Sequence, residues 1–375
     1  MGCTKTKIIQ INDNHQFFKK VKTIGKEQSN ICHNFLIRSD ITKEEYVYKR
    51  IIIGAMNKKE KDEILNNIKA LKTIDHPNII SLKDAYYSPN KKYLYVISEY
   101  ADSGDLQMKL DEQRDKNECF KEELLLNWFM QICFALNYIH NNNILHRNIK
   151  PSNIFLMKQN EDNFAKLGDF GIAKILKPSL RYTQTIINSS PKYLSPKILQ
   201  KKEYSFKTDI WSLGVTFYEL ITLNYPFEGE SDTEIEDNIL KGNIKKIPDY
   251  CKVDNRFIEL IKEMLSIRPE ERPSAEEILE RQLLNSIMKC YLESNNFDDT
   301  KAKNEINKYE KENKIGEFKE IRVLERDIND IITYEDDEQN IIIRAEKANY
   351  DFLRQMTNMK MQIKKSNTFP ENIKK

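Results

Sequence analysis

Glycine is scarce in this chain, with 10 residues among 375, against a usual share of about 7%. The chain also lacks an apolar run near the roughly 20 residues of a membrane-spanning helix, and it has no secretory leader. Its formal net charge is only +2, so it lacks the charge excess that favours nucleic acid. These absences predict a cytoplasmic protein that does not bind nucleic acid.

Closely spaced cysteines of the CxxC type are missing as well. The six cysteines stand far apart, at positions 3, 32, 119, 133, 251 and 290. This spacing argues against a disulfide framework and against a zinc site, and it is typical of a reducing compartment.

The first residues match the pattern for N-myristoylation. Gly2 becomes the acceptor once Met is removed, and Thr6 occupies the Ser/Thr position of the pattern. Cys3 adds a site for palmitoylation, while Lys5 and Lys7 add attraction to anionic lipid. The pattern predicts a membrane tether on the cytoplasmic face, because two lipid-binding signals anchor a protein to a bilayer more stably than one. The alternative is a chance match in a disordered N-terminus.

Two regions of different periodicity follow a polar leader at residues 1–16. Between residues 17 and 97, four short runs alternate apolar and polar residues as half-buried strands do, and a helical stretch interrupts them at 58–74. After Gly104, apolar residues recur at helical spacing, and Ser274 with Glu277 forms a capping box that marks a helix start. This order predicts an α+β fold with a small β lobe and a large, mainly α lobe.

Residues 286–375 are predicted to form a helical extension. Apolar residues recur every three or four positions at 318–331 and at 342–363, on either side of an acidic run at 335–338. The apolar stripes of two such helices need a partner. They either pack on the body of the protein or pair as a short coiled coil.

Three strings carry a family resemblance. Residues 146–153 read His-Arg-Asn-Ile-Lys-Pro-Ser-Asn, residues 167–171 read Leu-Gly-Asp-Phe-Gly, and residues 208–214 read Thr-Asp-Ile-Trp-Ser-Leu-Gly. In this order they resemble the catalytic loop, the D-F-G motif and the loop-anchoring helix of protein kinases. The strings Leu-Gly-Asp-Phe-Gly-Ile-Ala-Lys and Tyr-Leu-Ser-Pro are similar to those of the NIMA-related Ser/Thr kinases.

The resemblance implies a two-lobed protein-kinase fold over residues 17–285, binding ATP and Mg²⁺ and acting on a protein substrate or partner. It implies a phosphate contact for Lys49, metal ligands at Asp169 and Asn153, and a γ-phosphate contact for Lys150. The other nucleotide contacts that it implies are Gly25, Val47, Glu99 and Ala101. Ser190 before Pro191, together with Lys150, fits the Ser/Thr type.

Other positions depart from the family pattern. Asn148 stands where the family has the Asp that accepts the substrate's hydroxyl proton, and an amide has no useful basicity. Glu27 and Asn30 replace two glycines of the phosphate loop, and glycine there lets the backbone approach phosphate closely. Asn67 stands where a helix Glu pairs with the phosphate-binding Lys. The bulkier Val47 replaces an Ala that packs on adenine.

A further departure concerns a buried ion pair. Lys197 replaces the Glu that pairs, in the family, with an Arg that is here Arg272. Breaking a buried ion pair costs about 3–5 kcal/mol. We expect Glu270 or Glu271 to take over as the partner, or Lys197 to turn to solvent.

These losses, beside retained metal ligands, predict a pseudokinase that acts as a membrane-tethered scaffold or as an ATP-dependent switch. The alternative is a weakly active Ser/Thr kinase in which Asn148 only orients the hydroxyl. Residues 174–192 carry six hydroxyl side chains. They are either phosphorylated and bound by Arg147 or form an ordinary polar loop.

Overall fold

The computed structural model describes residues 8–11, 16–24, 32–58, 74–159, 162–169, 191–202 and 205–294, with single positions between 61 and 72. The acylation pattern, the phosphate loop with Gly25, Asn67, the segment 170–190 and the predicted helices after residue 294 lie outside the described residues. None of the described helices is long and apolar enough to cross a bilayer.

A six-stranded antiparallel sheet forms the small lobe, in the spatial order β1-β2-β3-β4-β6-β5. All four predicted runs are strands. The first and the fifth strands were not predicted. The first strand lies inside residues 1–16, which were expected to form a polar leader, and its Ile8 pairs with Lys19 of the next strand. The strands are β1 (Ile8–Ile11), β2 (Gln16–Ile24), β3 (Cys32–Ser39), β4 (Glu45–Ile52), β5 (Leu82–Tyr87) and β6 (Tyr93–Glu99).

The predicted small-lobe helix covers one face of this sheet. The described positions between 58 and 72 are helical. Ile64 and Ile68 are buried there, one turn apart, in a cluster with Ile51 of β4 and Val96 of β6. A helix with apolar residues four positions apart buries a single stripe, so this one closes the core of the small lobe.

Helices dominate the large lobe, with one β-hairpin among them. Phe129 of the second helix packs edge to face on Phe217 and Phe257, with centroid distances of 4.9 and 5.2 Å. The helices are α1 (Leu106–Lys116), α2 (Glu122–Asn141), α3 (Pro196–Leu199), α4 (Phe206–Thr222), α5 (Asp232–Lys241), α6 (Asn255–Met264), α7 (Ala275–Leu279) and α8 (Asn285–Ser294), and the hairpin is β7 (Ile154–Gln159) with β8 (Asp162–Leu167).

The last helices correct one predicted boundary. The apolar spacing after Ser274 predicts a helix that reaches residue 284, but the helix ends at Leu279, and a 3-10 turn at Gln282–Leu284 follows it. Helix α8 packs against α2, and its Met288 is fully buried. Helix α8 occupies the start of the stretch 286–375 that was predicted to be a helical extension, and the domain boundary itself stays a prediction.

Candidate active site

An ion pair between Lys49 and Asp169 joins the small lobe to the large lobe. Lys49 lies within β4, paired with Asn34 of β3 and Val96 of β6. Burial disfavours the charge on both groups, but their mutual attraction outweighs it. The pKa of Lys49 is therefore raised and the pKa of Asp169 lowered, so both groups are charged at neutral pH.

The backbone around Asp169 is fixed by the end of β8. The N–H of Ile80 donates to Leu167 O at 2.9 Å, and the N–H of Leu167 donates to Asn78 O at 2.8 Å. A Cβ on Gly168 would lie 2.8 Å from Ile80 and 2.9 Å from the Phe155 ring, so only glycine fits there. Asp169 itself has a φ of 56°, an unfavourable value for a non-glycine residue that marks many functional sites.

Asp209 at the start of α4 holds the loop that carries Asn148. Its carboxylate accepts the N–H of His146 at 2.9 Å and the N–H of Arg147 at 2.8 Å. The Nε2 of His140 lies 3.0 Å from the same carboxylate. Burial raises the pKa of Asp209, but His140 and the other donors lower it by a larger amount, so the pKa is lowered overall. The predicted role of this Asp as the loop's anchor agrees with these contacts.

A second set of hydrogen bonds joins the loop to the D-F-G segment. The Nε2 of His146 donates to Gly168 O at 3.0 Å, and its Nδ1 accepts the N–H of Asn148 at 3.3 Å. The Nδ2 of Asn153 donates to Asn148 O at 2.6 Å, and the N–H of Gly168 donates to Asn153 O at 3.0 Å. The backbone at position 148 is thus held from both sides, independently of the side chain there.

The predicted catalytic and metal-binding side chains gather around this loop. Asn148 and Lys150 are half-buried, and Asn153 is buried. Lys150 is close enough to Asp169 to help lower the pKa of that carboxyl. Because the Nδ2 of Asn153 is bound to Asn148 O, its amide oxygen is the atom that remains for a metal.

A small apolar cavity, of about 50 Å³, opens beside the ion pair. Of the predicted nucleotide contacts, Val47 lies half-buried on β4 and Ala101 is buried after β6. The carboxylate of Glu99 accepts Lys166 Nζ at 2.8 Å and the N–H of Ser81 at 3.0 Å, so a nucleotide would meet its backbone instead. The cavity is lined by Lys49, Leu71, Ile74, Ile79, Ile80, Leu82, Val96, Ser98 and Asp169.

A buried polar cluster that the sequence did not reveal fixes the chain at Tyr193, just after the segment 170–190. Tyr193 donates its hydroxyl to the carboxylate of Glu219 on α4, which is fully buried. Arg114 at the end of α1 donates to the same carboxylate at 2.8 Å. No motif marks these residues, because each is an ordinary polar residue until the fold brings three distant segments together.

Arg272 does not pair with Glu270 or Glu271, which were expected to replace the carboxylate that is missing at position 197. Its guanidinium donates to the carbonyls of Ser266, Lys207 and Ile267, at 2.8, 2.9 and 3.2 Å. It also lies over the Trp211 ring, 4.8 Å from the centroid. Within the described part of the chain, Arg272 forms no ion pair, so backbone carbonyls replace the missing carboxylate.

Comparisons with known proteins agree with this geometry. Residues 18–284 match the family model described as "Protein kinase domain". The chain is 40% identical over 272 residues to "Probable serine/threonine-protein kinase nek3" of Dictyostelium discoideum, which covers 72% of this chain and 24% of that protein. It is 36% identical over 257 residues to "Serine/threonine-protein kinase Nek1" of Mus musculus, covering 68% and 20%.

A shorter relative is matched over most of its length. The chain is 32% identical over 272 residues to "Serine/threonine-protein kinase nekl-2" of Caenorhabditis elegans, covering 71% of this chain and 74% of that protein. The longer relatives, by contrast, extend far beyond the matched region, since only 24% and 20% of the first two is covered.

Proposed function

The chain belongs to the protein kinase family, in its NIMA-related branch, and on this premise we propose that it is a pseudokinase, which binds Mg-ATP and acts as a scaffold or ATP-dependent switch and not by transferring phosphate. The observation that carries the proposal is Asn148, which stands in the string His-Arg-Asn where the resembling kinases have an Asp. An amide orients a hydroxyl by hydrogen bonding but takes no proton from it.

The size of the defect follows from the chemistry. Loss of a general base lowers rates by typically 10²–10⁴-fold. The transition state of phosphoryl transfer is loose, so the nucleophile needs little activation and the loss falls toward the low end. The missing glycines of the phosphate loop and Asn67 are expected to lower the rate further, because they weaken the binding of the ATP phosphates.

The residues that remain fit a magnesium nucleotide. Mg²⁺ is usually held by one or two protein oxygens, with phosphates and waters completing its shell. Among the described residues, no three or more acidic, His or Cys side chains are arranged so that they could hold a metal ion by themselves. The carboxylate of Asp169 and the amide oxygen of Asn153 supply a donor set of the required size, and Lys49 supplies a positive charge for the phosphates. Bound Mg-ATP would provide the phosphoryl group, while these side chains position it.

The test of nucleotide binding is a thermal shift of the full chain with Mg-ATP. A ligand that binds only the folded state raises the unfolding midpoint. We expect a magnesium-dependent rise that is lost in Asp169→Asn, while Asp115→Asn, at an exposed site on α1, retains it. Asp169→Asn also removes the ion pair to Lys49, so the comparison uses the shift that ligand causes within each variant. A parent protein unmoved by Mg-ATP would contradict nucleotide binding.

The second candidate is a weakly active Ser/Thr kinase. Lys150, Asn153 and the ion pair of Lys49 favour it, as do the names of the relatives, which describe Ser/Thr kinases. The discriminating variant is Asn148→Asp, assayed by phosphate transfer from labelled ATP to a generic protein substrate. If only the base is lacking, turnover rises at least about tenfold. Asp169-dependent transfer by the parent protein would contradict the pseudokinase proposal.

We extend the proposal to location and partners. The pattern at Gly2 and Cys3 supports a membrane tether, and the apolar stripes at 318–331 and 342–363 support a protein partner. The variant Gly2→Ala is expected to move the protein from the membrane fraction to the soluble fraction. Unchanged partitioning would contradict the tether without touching the kinase assignment.

A further inference from the structure

The antiparallel sheet of the small lobe is apolar on both faces. Successive residues of a strand point to opposite faces, and Ile51 and Val96 belong to the face that packs on the small-lobe helix. Ile37, Tyr48 and Ile97 point the other way and are also buried. An antiparallel sheet with one covered face usually presents polar side chains on the other face, so the second face of this sheet is suited to a cover.

Aromatic rings make up most of this second face. We name it the aromatic face, and its rings are those of Phe35, Tyr46, Tyr48, Tyr86, Tyr93 and Tyr95. The ring centroid of Tyr95 lies 5.1 Å from that of Tyr48 and 5.3 Å from that of Tyr86. Within the described residues, every side chain of this hydrophobic cluster comes from the strands themselves, and Tyr86 and Tyr95 are only half-buried. A contiguous apolar surface that stays partly exposed marks an interaction site.

Two cations lie on the aromatic face. The Nζ of Lys20 lies 4.0 Å from the centroid of the Phe35 ring, and the guanidinium carbon of Arg50 lies 5.3 Å from that of the Tyr93 ring. The Nε of Arg50 is buried, and no group in the described part of the chain accepts its hydrogen. Buried donors in folded proteins nearly always have an acceptor, so this face is suited to an occupant with carboxylates as well as apolar side chains.

We propose that segment 318–338 of this chain docks on the aromatic face when no partner protein holds it. The apolar stripe at 318–331 follows helical spacing and supplies one apolar side for the rings. The acidic run at 335–338 follows the stripe closely and supplies carboxylates for Lys20 and Arg50. This contact is separate from the active site, and it does not depend on whether the protein transfers phosphate.

Charge selects this segment over the second apolar stripe. Residues 318–338 carry eight acidic and three basic side chains, whereas residues 342–363 carry two acidic and four basic ones. Lys20 and Arg50 make the aromatic face cationic, so it attracts the first segment and repels the second. The stripe at 342–363 is then left for a protein partner.

The chain that precedes the segment is long enough to reach the small lobe. Helix α8 ends at Ser294, and residues 295–317 lie between that end and the segment. Fully extended, this stretch spans about 75 Å. A compact body of this size is roughly 50 Å across, so the segment can reach the aromatic face without any change in either lobe.

The test uses a water-soluble carbodiimide, which joins amines to carboxylates that are in contact, on the full chain. After digestion with trypsin, mass spectrometry is expected to find Lys20 joined to a carboxylate within 318–338. Lys116, which is exposed at the end of α1, is the control and is not expected to join that segment. Lys20 without any link to 318–338, or linked instead to 342–363, would overturn the proposal.

Mixing isotope-labelled and unlabelled protein before the reaction identifies the occupant. Linked peptides that carry a single label are expected, because the segment belongs to the same chain as the face. Linked peptides that combine both labels would overturn the proposal, since a second copy of the chain would then supply the segment.

A pair of variants tests the apolar part of the contact. Leu324→Glu places a charge within the stripe, and it is expected to abolish the Lys20 link and to raise nitration of Tyr95 by tetranitromethane several-fold. Asn329→Glu adds the same charge off the stripe and is expected to behave as the parent protein does. Tyr250, which is 64% exposed, should be nitrated equally in all three proteins. Equal nitration of Tyr95 in all three would overturn the proposal.

Discussion

The guanidinium of Arg272 is held in the core by main-chain carbonyls and by the Trp211 ring. Burial lowers its pKa to about 10, although Glu270 acts in the opposite direction, so the group is still charged at neutral pH. A planar guanidinium suits this place because its fixed fork reaches several carbonyls at once and stacks on an aromatic face. Position 197 can therefore hold a Lys without leaving the buried cation unsatisfied.

A single substitution tests this account of Arg272. Arg272→Lys keeps the charge but replaces the fork with one ammonium, which cannot reach the carbonyls of Ser266, Lys207 and Ile267 together. We expect a loss of about 2–4 kcal/mol in the free energy of unfolding, measured by urea denaturation. The matched control is Arg268→Lys, at an exposed site paired with Glu271, where a change within about 0.5 kcal/mol is expected. Equal losses in both variants would contradict the carbonyl-held role.

Helix α7 is an element whose start is set by local chemistry. The N–H of Glu277 donates to Ser274 Oγ at 3.1 Å, and the N–H of Ser274 donates to the Glu277 carboxylate at 2.6 Å. These reciprocal bonds satisfy backbone donors that a helix start leaves without partners. The helix has only five residues, so the cap is a large part of what stabilises it.

Removing this cap is expected to destabilise the protein measurably. Ser274→Ala removes the acceptor for the Glu277 N–H, at a cost of about 1 kcal/mol, read as a lower midpoint in urea. Ser274→Asp keeps an acceptor at the same place and is expected to stay near the parent value. If Ser274→Asp lost as much as Ser274→Ala, the capping explanation would be wrong.

The same element shows what the sequence predicts and where it fails. The start of α7 was predicted because a capping box is a local signal, but its end was not, because Leu283 and Leu284 stay buried in a 3-10 turn and extend the apolar spacing. Strand β1 was missed because its pairing with β2 is a tertiary event. At the site, Lys49, Asn148, Asn153 and Asp169 follow from short motifs, and the structure places them around one loop.

Contacts between distant segments account for the remaining misses. The polar cluster joins Arg114 to Glu219, which lies 105 residues further along the chain, and through Glu219 to Tyr193. No local pattern distinguishes such residues from ordinary surface side chains, because their burial arises only when the chain folds.

At the scale of the whole molecule, the segment from His76 to Ile80 joins the two lobes. Asn78 donates to Gln131 of α2 at 3.1 Å and to Ala165 O of β8 at 3.0 Å. The Nδ1 of His76 accepts the Asn78 N–H at 3.0 Å, and its ring packs on Tyr138 at 5.0 Å. This junction connects the end of the small lobe's helix to the floor of the active site.

Burial, with a smaller effect of Lys166, lowers the pKa of His76 to about 3. An unfolded His titrates near about 6.5, so between these values the unfolded chain binds more protons than the folded one. The stabilisation is complete above pH ~6.5 and is lost as the pH falls, by up to about 1.4 kcal/mol per pH unit. We expect the unfolding midpoint to fall between pH 6.5 and 5, and His76→Asn to flatten that slope. His33→Asn, on β3, is the control, and an equal slope in the parent and His76→Asn would contradict the prediction.

The hydrogen bonds that the Asp209 carboxylate accepts from backbone N–H groups also have an evolutionary consequence. The side chains of Asp209, His146 and Asn153 hold the catalytic loop through backbone groups, so folding does not require one particular side chain at position 148. The codons for Asn and Asp differ in one base, so at this position a lineage can lose the proton acceptor, and regain it, without passing through a misfolded ancestor. The same scaffold can therefore carry either residue at position 148, and the two are one mutation apart.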